Sequence, residues 1–566
     1  MIEKRPFLYL YYAFVLIAFV SALINLLVAI FPVDYELGHD EAEHLHVAYL
    51  LQQGQRPYID FIENHPTLFN HYLRFIKTFF NLKTVRSWAF AARLTILAHI
   101  LLMIFIFFIW LSDLIKIKPG RLLWISFILI SFSCLGYYDK QLASMWQIRP
   151  DWLSYSYSFV GFYLFYIFQK NEIKGQSIKK IKNCIYLIIG AILLGLGNTI
   201  LPKGFVLILG ITFGLVALLL IKEIKANIFL SWKFILSSLF YGLITLSSFL
   251  LFALADCKLS RINFNSWIKA NFILNSIKHL PLTNAQNNPL ASISAIFAIN
   301  FPLIIIMSFW ITYIIALTKK SPLNQTFGRL IIITLFVLIT NIAMTAFGNG
   351  LSWPHYFIPC VFSAMLIYLI LTHDLFLKAK SFMIKSSNYV LYAFIFACLL
   401  FLSIPLKQII WAYPSITNLK ANLTDPLISG QPDYLNEAIM PPNLIYFSPK
   451  PTEMPILAKQ AGYYFMLVID GKIWQDCYTL GLGPKPETHI KDLFAVNPPD
   501  ILAFQGPIKL YEYIVNANHL QKINLDWLLD SVKENYVLMA YKIRQFYVRK
   551  DLVGYLQSLG WQQVRK

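Results

Sequence analysis

Apolar runs of about 17 to 27 residues recur along this chain, each long enough to cross the hydrocarbon of a bilayer as one helix. Eleven such segments lie roughly at 7–31, 88–115, 122–138, 151–169, 184–201, 204–221, 230–253, 291–317, 330–346, 356–371 and 389–405. Hydrophobic residues make up 57% of the sequence and charged residues 14%, a balance that belongs to a polytopic α-helical membrane protein. The first run is long enough to span and lacks a small-residue cleavage site, so it reads as an uncleaved anchor.

Lys and Arg fall unevenly between the loops. With the N-terminus cytoplasmic, one set of short loops carries Lys116, Lys118, Arg121, Lys170, Lys174, Lys179, Lys180, Lys182, Lys222, Lys225, Lys319, Lys320, Arg329, Lys378, Lys380 and Lys385. The opposite short loops hold only Lys140, Arg149 and Lys203, which sets the orientation. The formal charge of +19 follows from that topology and does not call for a nucleic-acid partner.

After Pro405 the pattern changes. From about residue 430, short β-rich runs such as NLIYF alternate with amphipathic helical ones such as HIKDLFAVN. The expected organisation is a transmembrane domain over 1–405 with a long outer loop at 33–87, a linker at 406–429 and a soluble α/β domain at 430–566, outside the cytoplasm. Of six cysteines, Cys134, Cys184, Cys360 and Cys398 lie in the spans, leaving Cys257 and Cys477 for the outside and no disulfide framework.

The first outer loop opposes the charge of the rest of the chain. Asp34, Glu36, Asp40, Glu41, Glu43, Asp60 and Glu63 face a single Arg56 between Asp34 and His65, and His39, His44, His46, His65 and His71 are five of the eleven histidines. Asp40 is placed to cap a helix over 41–53 with Leu45, Ala48, Tyr49 and Gln52 on one face. Residues 66–80 predict a second helix, with Phe69, Tyr72, Leu73, Ile76 and Phe80 on a face suited to the membrane surface. The turn GQRPY, with Gly54, Pro57 and Tyr58, joins them. A second long outer segment, Asp256 to Pro289, is open to two readings, a lid over a cleft or a plain loop.

Several residues are candidates for chemistry. Desolvation beside other carboxylates suits Asp40 or Glu41 to general-base work, against the simpler reading of a cap. Glu41 and His44 share a helix face as E-x-x-H and can hold a metal, although nothing completes a zinc motif and substrate-contacting or structural histidines fit as well. Arg149 and Asp151, in QIRPDWL at the mouth of the fourth span, suit a lipid phosphate and its acceptor, or mere snorkelling. Lys203 in a Pro/Gly break, Arg93 inside the second span and His355 at the mouth of the tenth are further candidates for substrate contact.

Taken in order, HDEAEH, GQRPY, HPTLFNHYL, the RL of the second span, RPD, GLGNTILPKG and PHYFIP resemble the polytopic glycosyltransferases of the GT-C fold. Within that group the chain is similar to the bacterial branch of the lipid A aminoarabinose transferases and the protein O-mannosyltransferases, over roughly residues 1–405. The resemblance implies that Asp40 is the base or acceptor-positioning acid, Glu41 its partner and Asp151, with Arg149 beside it, a second-loop acid. Lys203 matches the Lys of a Thr-Lys-Gly-Pro-like motif in which Pro202 and Phe205 replace Thr and Pro, and His65 stands where the aminoarabinose transferases have Lys of Lys-Pro-Pro-Leu. It further implies transfer of a sugar from a polyprenyl-phosphate donor to a hydroxyl of a lipid, glycan or protein acceptor, at the periplasmic face of a bacterial inner membrane, with a divalent metal optional. No P-loop or Rossmann glycine pattern is present, as befits a sugar that arrives on lipid. The rival readings are a transporter, which predicts internal repeats and mid-span charges, and a scaffold without catalysis.

Overall fold

The computed structural model describes residues 39–115 (save 64), 148–173, 180–202, 232–274 and most of 441–564, with isolated positions elsewhere. The helices are α1 (His39–Gln52), α2 (Leu68–Phe79), α3 (Val85–Ile115), α4 (Pro150–Ile173), α5 (Lys180–Ile200), α6 (Trp232–Ser260) and the short α7 (Phe264–Ile268), which runs into a π-helical turn at Lys269–Leu274. Then come β1 (Ile445–Phe447), β2 (Lys459–Gln460), α8 (Gly471–Thr479), α9 (Pro486–Val496), β3 (Ile501–Leu502), α10 (Pro507–Gln521), α11 (Asp526–Asn535), β4 (Tyr536–Tyr541), β5 (Arg544–Arg549), α12 (Val553–Ser558) and β6 (Gln562–Gln563).

Helices α3 to α6 cover the expected spans at 88–115, 151–169, 184–201 and 230–253. The other seven expected spans lie outside the described residues, apart from isolated positions. Among the described residues, Ile181–Ile200 and Leu236–Ser260 are long and apolar enough to cross a membrane, and Ser87–Met103 is a shorter apolar stretch. Both long segments turn large aliphatic side chains outward, Ile185, Ile188, Ile189 and Ile192 on α5 and Leu239, Leu243, Leu246 and Leu251 on α6. Contiguous exposed apolar surface of this kind is costly in water and compatible with lipid.

The chain divides into two compact units, Met1–Val33 with Leu94–Leu250 and Pro281–Ser429, and Asp34–Arg93 with Leu251–Leu280 and Gly430–Lys566. In the first, α4 and α5 pack along their lengths because small residues let the backbones approach. A Cβ on Gly161 would lie 2.5 Å from the Gly190 carbonyl oxygen, and the Tyr241 hydroxyl donates to the Gly161 carbonyl at 3.0 Å. Phe165, Phe168, Leu187, Ala191, Leu194 and Tyr241 fill the space around that contact.

The second unit joins the acidic first loop to the C-terminal region, where the alternation of strand and helix yields a six-stranded sheet of order β2-β1-β3-β5-β4-β6. Strands β2, β1 and β3 are parallel and β5, β4 and β6 antiparallel to their neighbours, with Tyr446 opposite Ile501 and Ile501 opposite Val548. Asp500 locks the two halves together: its carboxylate accepts from the Ile445 N–H at 2.8 Å and pairs with Arg549 at 2.9 Å. The core of this sheet and its helices includes Tyr58 and Ile62 of the first loop, with Ala270 and Leu274 of the π-helical turn. Fully burying side chains of this size stabilises by about 1.5–3 kcal/mol each, so the first loop is an integral part of the unit.

That packing changes the expected geometry of the loop. Helix α1 begins at His39, so Asp40 is a helical residue in the first turn and not an N-cap, where its charge complements the helix dipole. Its burial is not confined to one face: Ala42, Leu45, Val47, Ala48, Leu50 and Leu51 are buried together with Glu41, His44 and His46, while Gln52 is exposed. Helix α2 buries Phe69, Leu73 and Ile76 of the face expected at the membrane surface within the protein, whereas Phe80 is exposed with Phe75 and Phe79. Of the 256–289 segment, Asp256 to Ser260 continue α6, and Trp267, Ala270 and Leu274 are buried in the same unit, so this part is a packed element and neither lid nor loop. Residues 275–289 lie outside the described residues.

Candidate active site in the acidic first loop

Glu41 and Arg93 come together at the buried side of α1. The guanidinium donates from Nε to Glu41 Oε1 at 2.8 Å and from Nη2 to Oε2 at 2.6 Å, a bidentate fork between two side chains that are both at most 9% exposed. Such planar pairing is the strong form of a charge-assisted hydrogen bond. Arg93 and Glu41, both singled out as candidates from the sequence, are thus held together in one pair. The physical reason is burial: a carboxylate on a helix covered on most sides is stable when it is paired. Asp40, one residue earlier, is half-buried.

The opposite wall is built from the loop after the turn. Tyr58 adopts φ +65°, in the left-handed region, and its N–H donates to the Phe61 carbonyl at 2.6 Å, which turns the chain back towards α2. The Tyr58 hydroxyl donates to the His65 carbonyl at 3.5 Å. Burial, and then the nearby Glu63 and Asp256 carboxylates, push its pKa well above the usual tyrosine value, so it stays a neutral donor. Tyr58 of the expected turn sits in the core, its ring packed between the loop and the sheet.

Glu63 is 1% exposed, and its Oε1 accepts from the His65 N–H at 2.8 Å and lies 3.1 Å from His65 Nδ1. Asn70 of α2 bridges the walls, its amide nitrogen 3.4 Å from Glu63 Oε2 and its oxygen 3.2 Å from His44 Nδ1. His44 also meets the rings of His65 and Phe69 edge-on, at 5.5 and 5.1 Å between centroids. Ligand atoms of Glu43, Glu63 and His65 lie within 4.8 Å of one another.

Beneath this cluster, Asp256 at the end of α6 accepts from the Thr67 N–H at 3.1 Å, the Thr67 hydroxyl at 2.7 Å and the Trp267 indole at 2.8 Å. It thereby satisfies donors at the start of α2, whose own N-cap residue makes no side-chain cap. Ser260 Oγ lies 2.6 Å from Thr67 Oγ1 and 2.8 Å from His71 Nε2. Sequence reasoning passed over Asp256, Asn70 and Ser260. An Asp closing an apolar run was the available signal for the first. Beside the turn, a cleft of about 690 Å³ is lined by Gln53, Gly54, Gln55, Ile59, Asp60, Pro484 and His489.

In the other unit, Pro150 occupies the first position of α4, where its missing N–H costs nothing, and Asp151 follows in the first turn. Arg149 Nε donates to Asp151 Oδ2 at 3.1 Å, both side chains being buried. His99 of α3 lies 3.0 Å from the Ser156 hydroxyl one turn further on. The candidates thus form two groups, one in each unit. Lys203 and His355 lie outside the described residues.

The fold compares with solved structures of archaeal oligosaccharyltransferases. The apo crystal structure of the Archaeoglobus fulgidus oligosaccharyltransferase matches with a TM-score of 0.53 and 12% identity, over 96% of this chain and 75% of that one. The archaeal oligosaccharyltransferase AglB from the same organism, in complex with an inhibitory peptide and a dolichol-phosphate, gives a TM-score of 0.47 at 11% identity over the same shares. No protein-family model matches the sequence, and no curated protein matches it. The chain has the fold of the GT-C glycosyltransferases.

Proposed function

We propose that the protein is a membrane-embedded glycosyltransferase that moves a sugar from a polyprenyl-phosphate carrier to a hydroxyl acceptor at the periplasmic face of a bacterial inner membrane. The observation that carries this reading is the GT-C fold, matched over 96% of the chain, together with an acid-bearing helix start in the first outer loop. Apolar helices that present aliphatic side chains outward are compatible with a site served by a lipid-borne donor.

In this reading Asp40 takes the acceptor proton as the hydroxyl attacks the anomeric carbon, the configuration inverts, and the lipid phosphate departs with the bonding pair. Asp151, with Arg149 and Lys203, acts at the acceptor and the departing phosphate. Arg93 serves as a positioning residue: by holding Glu41 it fixes the first turn of α1 and hence Asp40. The donor sugar and the acceptor, whether lipid, glycan or protein, are assigned by the test.

The test is turnover of a panel of radiolabelled polyprenyl-phosphate sugars by the purified chain in nanodiscs. Asp40→Asn is expected to reduce turnover by about 10²- to 10⁴-fold, the usual contribution of a general base, with unchanged melting. Absence of both turnover and binding for every donor would overturn the proposal in favour of transport or scaffolding.

A further inference from the structure

We propose that the cleft between the turn after α1 and the start of α9 binds an uncharged oligosaccharide, the distal part of a glycan acceptor. Its walls come from two distant stretches of one compact unit, residues 53–60 and 484–489, and enclose about 690 Å³. That volume is ordinary for a small-ligand site, which takes about 300–1,000 Å³.

Both walls are fixed before a ligand arrives, which lowers the cost of binding. Asp60 Oδ2 accepts from the Arg56 N–H at 2.7 Å and from its Nε at 3.3 Å, holding the rim of the turn. Next to Ile59, Tyr58 keeps φ +65°, a conformation that an aromatic residue adopts only when its surroundings impose it, and such outliers collect at ligand sites. Opposite, the Leu482 N–H donates to the Cys477 carbonyl at 2.8 Å, and Pro486 opens α9.

The lining selects the ligand. Arg56 pairs with Asp60, and burial holds the His489 imidazole below its usual pKa against the pull of Asp492, so these side chains sum to no net charge at neutral pH. A phosphate or a carboxylate finds no excess cation here. Gln53 and Gln55 each bring amide donors and an acceptor, and among the described residues neither side chain has a hydrogen-bond partner. Ile59, 49% exposed, offers apolar surface to the C–H face of a sugar ring. Helix α1 has 14 residues and rises about 1.5 Å per residue, so Gln53 lies roughly 20 Å from Asp40. A group in the cleft is therefore not the reacting hydroxyl, and a chain several sugars long connects the two places. The site deepens the transferase reading and rests on it for its purpose, whereas binding itself is measured without turnover.

The experiment is saturation-transfer NMR on the purified full-length chain in nanodiscs, with maltotetraose, cellotetraose, chitotetraose and mannotetraose as probes and glucose 1-phosphate as the charged comparison. At least one tetrasaccharide is expected to bind, at least about threefold more weakly to the double variant Gln53→Ala with Gln55→Ala and to Ile59→Trp, which fills the cleft. Asp530→Asn, on α11, serves as the control that leaves binding unchanged. Should Ile59→Trp fail to fold, the double variant, at exposed and half-buried positions, decides the matter. Binding of no tetrasaccharide, binding of glucose 1-phosphate alone, or equal binding by the double variant overturns the site. In turnover, the double variant is expected to raise KM for a glycan acceptor and not for the polyprenyl-phosphate donor. A rise for the donor alone would place the donor's sugar in the cleft and overturn the acceptor assignment. Turnover by a chain that binds no tetrasaccharide would sink the site alone. Tetrasaccharide binding by a chain inert towards every donor would support the site and sink the transferase reading.

Discussion

Asp256 and Thr67 stand 189 residues apart in sequence and meet through two hydrogen bonds, of 3.1 Å to the Thr67 N–H and 2.7 Å to its hydroxyl. Asp256 thereby serves as the N-terminal cap of α2 from another helix and pins the His65–Thr67 segment to the end of α6. Replacing it with Ala strands the Thr67 N–H and the Trp267 indole, while the Thr67 hydroxyl keeps Ser260 as a partner, and each buried unsatisfied group costs about 1–3 kcal/mol. Asp256→Ala is expected to destabilise by about 3 kcal/mol or more, and Asp256→Asn by clearly less, since the amide oxygen still accepts. Chemical denaturation in detergent measures both, and an Ala variant within about 1 kcal/mol of wild type would contradict the capping role.

Glu41→Gln leaves the Arg93 guanidinium buried beside a neutral amide. Breaking a buried pair from one side costs about 3–5 kcal/mol, whereas replacing both partners by apolar groups of similar volume is often close to neutral. The double variant Glu41→Leu with Arg93→Met is therefore expected to melt nearer to wild type than Glu41→Gln does. A double variant worse than the sum of the singles would show that the pair does not act as a unit.

At the helix crossing, an added methyl on Gly161 would sit 2.5 Å from the Gly190 oxygen, a backbone atom that cannot swing away. Gly161→Ala is expected to cost about 1–3 kcal/mol through forced separation of α4 and α5. On α6, a Cβ at Gly242 meets nothing within 4 Å, and Gly242→Ala should be neutral or stabilising. Thermal melting of the two variants side by side checks the contrast.

Acid lability follows from two buried histidines. Burial lowers the pKa of His46 to about 3 and that of His71 to about 4, the latter helped by Arg74, whereas the unfolded chain takes up these protons near 6.5. Between those values the unfolded state binds more protons, so stability is complete above about pH 6.5 and falls as pH drops towards 4. Each histidine contributes at most roughly 1.4 kcal/mol per pH unit in that window. A midpoint that stays flat from pH 6.5 to 4.5 would show that the imidazoles are not held neutral.

The legible part of this molecule was local. Helices at 88–115, 151–169, 184–201 and 230–253 announce themselves by length and apolarity, and the sheet-forming region by strand-helix alternation, because both patterns depend on neighbours a few residues apart. The acid-rich start of α1 was equally visible as composition. Which of them pairs with a distant residue was not. Glu41 and Asp40 are adjacent and chemically alike, and the bidentate contact of Glu41 with Arg93, 52 residues beyond it, belongs to the assembled fold.

The sequence by itself determined a helical membrane chain with an acidic loop near its start and a C-terminal α/β region. Tertiary structure decided that Tyr58 and Ile62 belong to the core of that region, that Asp256 caps α2, and that Glu43, Glu63 and His65 converge. Periodicity records which face of an element is apolar, but not which distant face covers it. Long-range pairing is settled by packing and by the cost of leaving a buried polar group unmatched, and both are properties of the assembled fold.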